Sequence, residues 1–273
     1  MRSIIVVNGE RDWQEFFPGL EVRSCRLQTS RWLYQDDALW MFDPDGAVRV
    51  EAVLWRVGAI RPQPGHRTLL ELLRLAGVPC VNDPAVLLRG YDRLSMLNEL
   101  RAAGLPTLPL SVALGDGVLD RLQPDLPAVI KVGNYHGGYG KIRPTDDQMW
   151  SEVSDLLFVS EDYVTVEPYV EYVRDIRCLA VGAELWAMAR RGASWRANVR
   201  TVEYELIEVP PIVAAHTRRA MEHFGADVLG IDFLETAAGE YVALESNDIP
   251  GLSGFPAAAR TAIAGRLRAK IQA

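Results

Sequence analysis

The segment KVGNYHGGYGK, Lys131 to Lys141, places three glycines in four positions between two lysines ten residues apart. A glycine-rich backbone can approach an anion closely and a lysine at each end supplies a point charge, so the segment suits a polyphosphate. A P-loop needs a glycine five residues before its Gly-Lys pair and a Ser or Thr after the lysine, whose hydroxyl holds magnesium. Those places hold Tyr135 and Ile142. A dinucleotide fingerprint must open a helix, whereas Gly138 and Gly140 lead to Arg143 and Pro144. A glycine loop of a third kind remains.

A second feature lies in GIDFLETAAGEYVALESN, which reads as two strands joined by a tight turn around residues 237–240. With Thr236 facing Tyr241, antiparallel register sets Asp232 directly opposite Glu245, with Asn247 on the same face two residues on. Carboxylates about 5 Å apart at Cβ repel each other and require a cation. Magnesium fits, since it takes hard oxygen ligands, commonly one or two carboxylates plus substrate phosphates. By itself the hairpin also reads as two solvated acids. Beside the glycine loop and its lysines, it points to a nucleotide.

The elements that must position these groups alternate. SIIVVN, AVLWRV and VPCVND read as short buried strands, and HRTLLELLRLAG between them as a helix bearing Leu69, Leu70, Leu72, Leu73 and Leu75, which predicts an α/β unit with a mainly parallel sheet ending near residue 88. A helix then starts at the N-cap Asp92, carries Leu94, Leu97 and Leu100 inward and stops at Gly104. LPAVIKVG and YVTVEPYV read as strands around the glycine loop and a polar helix. The final third reads as strand-rich up to Pro256, with AAARTAIAGRLRAKIQA as a closing amphipathic helix.

The 273 residues are 49% hydrophobic and 24% charged, the balance of a globular protein with a core. A net charge of −7 argues against general nucleic-acid binding. No run approaches the ~18 apolar residues of a membrane span, and MRSIIVVNGE reads as a first strand rather than a secretory signal, so the expected location is cytoplasmic. Cys25, Cys80 and Cys178 lack paired spacing and read as buried thiols rather than disulfides or a zinc site.

From roughly residue 80 to 255 the sequence resembles the ATP-grasp superfamily, in particular its RimK-type ligase, synapsin and glutathione synthetase branches. The likeness rests on the lysine, glycine-loop, lysine stretch with His136, on DIRCLAVG (Asp175 to Gly182), on SWRAN and on the Asp, hairpin, ESN ending. It implies an α/β and α+β architecture: an N-terminal Rossmann-like domain (1–88), then two α+β subdomains (89–170 and 171–273) gripping ATP between them. Lys131 and Lys141 would contact the phosphates, and the loop of His136, Gly137, Gly138, Tyr139 and Gly140 would close over them. Glu167, Pro168, Tyr169 and Val170 resemble the hinge that receives adenine; Pro168 has no N–H, which leaves Val170 as the expected donor. Asp232, Glu245 and Asn247 would hold magnesium, usually two ions, with manganese as an alternative. Arg190, Arg196 and Asn198 would complete the phosphate and acyl-phosphate site. Asp175 is assigned with the nucleotide contacts, although Asp175 and Arg177 also read as partners of each other or of neighbours. Arg93 stands where many relatives have a phosphate-binding lysine, a fork in place of a point charge.

The implied reaction is ATP-dependent carboxylate–amine ligation through an acyl phosphate, on an amino acid or peptide substrate, the side chain of a ribosomal peptide included. The alternatives are a synapsin-like regulatory module that binds ATP without ligation, and a kinase acting on a hydroxyl. Arg56 and Arg61 in LWRVGAIRP read either as a clamp for a substrate carboxylate or as surface charge. Relatives often form homodimers, but no segment identifies an interface.

Overall fold

The structure, a computed structural model, describes residues 3–58, 63–135, 138–160, 162–192, 195 and 201–272. Strands β1 (Ser3–Val7), β2 (Glu21–Cys25), β6 (Ala52–Trp55) and β7 (Cys80–Val81) form a parallel sheet in the order β2-β1-β6-β7. All residues of β1 and β6 are buried, as continuous apolar runs in a sheet covered on both faces must be. Between β2 and β6 lies an antiparallel meander of β3 (Arg31–Gln35), β4 (Ala38–Asp43) and β5 (Gly46–Arg49), which the sequence reading did not anticipate.

Helix α1 (Pro64–Leu75) buries Leu69, Leu70 and Leu73 in a core shared with β1, β6 and the meander, while Leu75 points outward. Helix α2 (Pro84–Arg89) is capped by Asp83, whose carboxylate accepts from the Ala85 N–H. Helix α3 (Arg93–Ala102) starts at the expected cap, Asp92, which accepts from the Ser95 N–H at 2.9 Å. Its buried face is Arg93, Met96, Leu97 and Leu100, with Leu94 only half-buried.

The second sheet runs β10-β9-β11-β8 and is antiparallel throughout: β8 (Ser111–Ala113), β9 (Ala128–Val132), β10 (Lys141–Ile142) and β11 (Val164–Pro168), with α4 (Asp147–Leu156) packed against it. The third has the order β14-β13-β12-β15-β16: β12 (Arg174–Val181), β13 (Glu184–Gly192), β14 (Thr201–Ile207), β15 (Val228–Glu235) and β16 (Tyr241–Asn247). Helix α5 (Pro211–Phe224) buries Val213, Ala220, Met221 and Phe224 against that sheet and α3. It is a helix that the strand-rich reading up to Pro256 did not foresee, between β14 and β15. The closing helix is present as α6 (Ala257–Gln272).

Two features tie the first sheet to the third. A core cluster mixes Ile4, Val6, Ala52 and Leu54 with Leu179, Val181, Val228 and the α6 residues Ala259, Ile263, Ala264 and Leu267. Asn82, buried just after β7, accepts from the N–H groups of Asp227 and Val228 at 2.8 Å and donates to the carbonyls of Val228 at 2.6 Å and Asp248 at 2.7 Å. The three cysteines are free and buried; burial pushes the Cys25 and Cys178 thiols up to about 11. Among the described residues no helix is long and apolar enough to cross a membrane.

Candidate active site

Direct opposition across antiparallel strands aligns side chains on one face, and the third sheet carries its charges in two such rows. One row joins Arg190 on β13 to Asp175 on β12; the next joins Met188, Arg177, Asp232 and Glu245 on β13, β12, β15 and β16. The pairing of Asp232 with Glu245 is as expected, but by a different route. Glu235, not Thr236, faces Tyr241, and a bulge restores the register, because Phe233 pairs with Ala243 while Asp232 pairs with Glu245. The extra residue, Leu244, lines the cleft described below. Asn247 is opposite Gly230, one row further along the same face.

The cation expected to relieve the two acids comes, in the structure, from the chain's own side chains. Arg177 donates to both Asp232 oxygens at 2.7 Å, and Arg190 lies 3.1 Å from Asp232 while also donating to Asp175 at 2.7 Å. So Asp175 and Arg177 pair with opposing neighbours, not with each other. Burial pushes the Asp232 carboxyl up, but Arg177 and Arg190 outweigh it and hold Asp232 below the usual carboxylate range. Glu245 lies 3.6 Å from the Lys141 ammonium and 3.5 Å from the Arg93 guanidinium. Against the opposing effect of burial, Lys141, Arg93 and Lys131 hold its carboxyl far below the usual range.

Lys131 and Lys141 are direct partners on β9 and β10. Lys131 is buried and donates to both oxygens of Glu167, at 2.8 and 2.6 Å, and burial lowers its pKa despite that partner. Between the lysines, Gly138 and Gly140 adopt φ of 80° and 64°, which favours glycine, and the Gly140 carbonyl accepts from the Val132 N–H. Tyr139 is exposed; His136 and Gly137 lie outside the described residues. Arg93, only 2% exposed, donates to the carbonyls of Gly133 and Tyr135, while its own N–H donates to the Asn134 side chain. It grips the root of the glycine loop from beneath.

At the hinge, Glu167 is buried, and the Tyr169 N–H donates to the Pro127 carbonyl at 3.1 Å. A cleft runs from this hinge to the acids. Lys131, Lys141, Glu167, Pro168, Tyr169, Val170, Asp175, Asp232 and Glu245 all line it, so the structure gathers both lysines, the hinge and two of the three proposed metal ligands around one space. Arg190 borders it through its contacts with Asp175 and Asp232. Arg196 and Asn198 lie outside the described residues.

Sequence reasoning missed several groups. Tyr172 and Trp195 also line the cleft; the Tyr172 hydroxyl donates to the Trp195 carbonyl, and the Arg143 guanidinium sits 4.5 Å from the Tyr169 ring centre and 5.5 Å from that of Trp195. The one signal for them was a run of aromatics beside the hinge and within SWRAN. Arg56 is turned inward, donating to the Pro250 carbonyl at 2.9 Å with Glu10 at 3.8 Å, so its charge is engaged within the protein. Arg61 lies outside the described residues.

Among the described residues no three His, Cys, Asp or Glu side chains cluster as a metal site. The donor set here is two opposed carboxylates and the side-chain amide oxygen of Asn247, one row further along the same face. Each carboxylate oxygen has lone pairs beyond those used by arginine or lysine. These hard oxygen donors therefore fit magnesium shared with phosphate oxygens.

Known proteins resemble this chain over the same regions. The family model for the synapsin ATP-binding domain matches residues 119–249. A probable alpha-L-glutamate ligase of Serratia proteamaculans is 28% identical over 228 residues, 80% of this chain and 75% of that protein. The ribosomal protein bS6–L-glutamate ligase of Salmonella newport is 28% identical over 226 residues, with the same coverage. Among solved structures, a RimK domain ATP-grasp protein from Sphaerobacter thermophilus superposes with a TM-score of 0.72 at 20% identity, covering 97% of this chain and 98% of that one. A peptide-associated ATP-grasp ligase from Chryseobacterium gregarium, solved with ADP and a leader and core peptide, gives 0.72 at 14% identity, covering 99% and 97%.

Proposed function

We propose that this chain, which has the ATP-grasp fold, is an ADP-forming carboxylate–amine ligase acting on an amino acid or peptide. The observation that carries the proposal is the convergence of Lys131, Lys141 and Arg190 with the opposed acids Asp232 and Glu245 on one cleft that begins at the hinge.

In this reading the adenine ring lies against Glu167 to Val170. The Tyr169 N–H is engaged by Pro127, which supports Val170 as the donor to the ring. Lys131 and Lys141 hold phosphates from the glycine-loop side, and Arg190 reaches them from the sheet. Asp232, Glu245 and Asn247 would hold magnesium, which supplies a Lewis acid at the phosphate oxygens. A substrate carboxylate oxygen attacks the γ-phosphorus, and the bond to the bridging oxygen breaks with its electrons leaving on ADP. The amine nitrogen then attacks the acyl carbon, the carbon–oxygen bond to phosphate breaks, and the amine proton passes to phosphate or solvent. The protein's task is alignment and stabilisation of developing charge, and none of its own side chains has to act as nucleophile.

Hydroxylamine trapping tests this. Purified protein with magnesium, ATP and pooled amino acids and peptides should yield hydroxamates together with ADP, and neither from Asp232→Ala protein. The match to the synapsin domain favours one alternative, a regulatory ATP-binding module. Tight ATP binding with no hydroxamate in any pool would support that alternative and count against ligation.

A further inference from the structure

The two charged rows do not end at β13. Tyr204 on β14 is directly opposite Arg190, and Leu206 is opposite Met188, so both extend the face that holds Asp175, Arg177 and Asp232. The segment after β16 confirms their direction independently. It crosses this face obliquely: a Cβ on Gly230 would come within 2.9 Å of Pro250, and one on Gly251 within 4.0 Å of Arg177. At Gly254, φ is 84° and an added Cβ would meet both the Met188 sulfur and the Tyr204 ring at 2.8 Å. The strap therefore rests on the sheet and ends against Met188 and Tyr204, one strand beyond Arg190.

At that end the face changes character. β14 is the edge of the sheet, Tyr204 is 57% exposed and Leu206 is 49% exposed. Its acids Glu203 and Glu205 alternate with them and point to the opposite face. Arg190, the cation of this row, is already engaged by Asp175 and Asp232.

We propose that Tyr204 and Leu206 form the floor, and the strap at Gly254, which covers Met188, the wall, of a subsite that takes an apolar or aromatic side chain of the organic substrate reacting beside Arg190. The proposal rests on the ligase reading above. Its occupant follows from continuity: a side chain on Tyr204 is about one strand spacing, 4.8 Å, from Arg190 along the same row, within reach of groups aligned at the phosphates. An exposed flat ring and a leucine reward apolar contact. Among the described residues, a carboxylate placed there would lose water without gaining a cation that is not already paired.

The test is ADP release and mass spectrometry on mixtures of amino acids and short peptides, comparing wild type with Tyr204→Ala, Tyr204→Phe and Tyr204→Arg. ADP affinity, measured for each variant, reports whether the fold survives. Products should carry an apolar or aromatic residue, favoured by about tenfold or more in kcat/KM over the glutamate counterpart. Tyr204→Ala should remove that preference mainly through KM, Tyr204→Phe should keep it, and Tyr204→Arg should move it toward acidic side chains. Ligation that prefers glutamate and ignores Tyr204→Ala overturns the subsite and leaves the ligase reading standing. No product from any mixture, with ADP binding intact, overturns both.

Discussion

Lys131 and Lys141 stand directly opposite each other on β9 and β10, and their ammonium groups turn to different acids: Lys131 to Glu167 at 2.6 Å and Lys141 to Glu245 at 3.6 Å. Two like charges in register would destabilise the pair. Here one is neutralised at the hinge and the other by a strand of the third sheet, so the two ends of the glycine loop are tied to opposite sides of the cleft.

The Lys131–Glu167 pair should behave as a buried unit. Removing one member leaves a buried charge without its partner, so Lys131→Met alone should cost about 3–5 kcal/mol. Lys131→Met combined with Glu167→Leu should recover much of that loss. Urea denaturation of the wild type, both single variants and the double variant gives the coupling energy; strict additivity would refute the pairing.

Asp232 should be required twice over. It receives Arg177 and Arg190 and is a proposed metal ligand. Asp232→Ala should abolish metal-dependent ADP release and also lower stability by about 3–5 kcal/mol, since two buried guanidinium groups lose a partner. Calorimetric magnesium–ADP titration beside a denaturation curve separates the two effects.

Acid should reveal the Lys141–Glu245 contact. The folded protein holds the Glu245 carboxyl well below its ordinary value. That contribution to stability is fully present above the unfolded value, about 4.3, and is lost as pH falls toward the folded one. In that window the unfolded chain binds the extra proton, so stability drops with pH. Lys141→Met removes part of the depression and flattens the slope. The stability difference between wild type and variant should therefore stay constant above the variant's own folded value and narrow as pH falls below it toward the wild-type one; a constant difference down to the most acidic pH at which both fold would exclude the linkage.

Asn82→Ala should cost about 3 kcal/mol or more, because the buried amide makes four hydrogen bonds to the backbone at Asp227, Val228 and Asp248, and each backbone group left unsatisfied costs about 1–3 kcal/mol. Hydrogen exchange at the Asp227 and Val228 amides should rise with it, and unchanged exchange would mean that water replaces the side chain.

Much of this arrangement is legible in the sequence where one physical signal dominates. The first sheet shows as unbroken apolar runs at residues 4–7 and at Ala52–Trp55, and α3 as an Asp cap followed by helical spacing. Helix α5 has such spacing too, at Val213, Ala220, Met221 and Phe224 before the left-handed Gly225. Two leading prolines and a face of alanine, threonine and histidine mute its contrast. The meander turns at Asp36 and Asp37, both at positive φ, a place where Asn-Gly would have been the familiar sign. Within the site, hairpin arithmetic reached the Asp232–Glu245 opposition from a turn register one residue off, and the Leu244 bulge, which no local signal marks, compensates for it. The partners of Asp232 escape local pattern, because Arg177 lies 55 positions away in sequence.

Helix α6 packs against β1 through Ile4 and Val6, joining the earliest strand to the last helix in one core. A ribosome delivers β1 well before α6, so one face of the first sheet stays wet until α6 follows. Contacts so distant in the chain form slowly, and the half-covered sheet is then open to chaperones or to wrong pairing. The nascent chain cannot close this core until α6 has left the ribosomal tunnel.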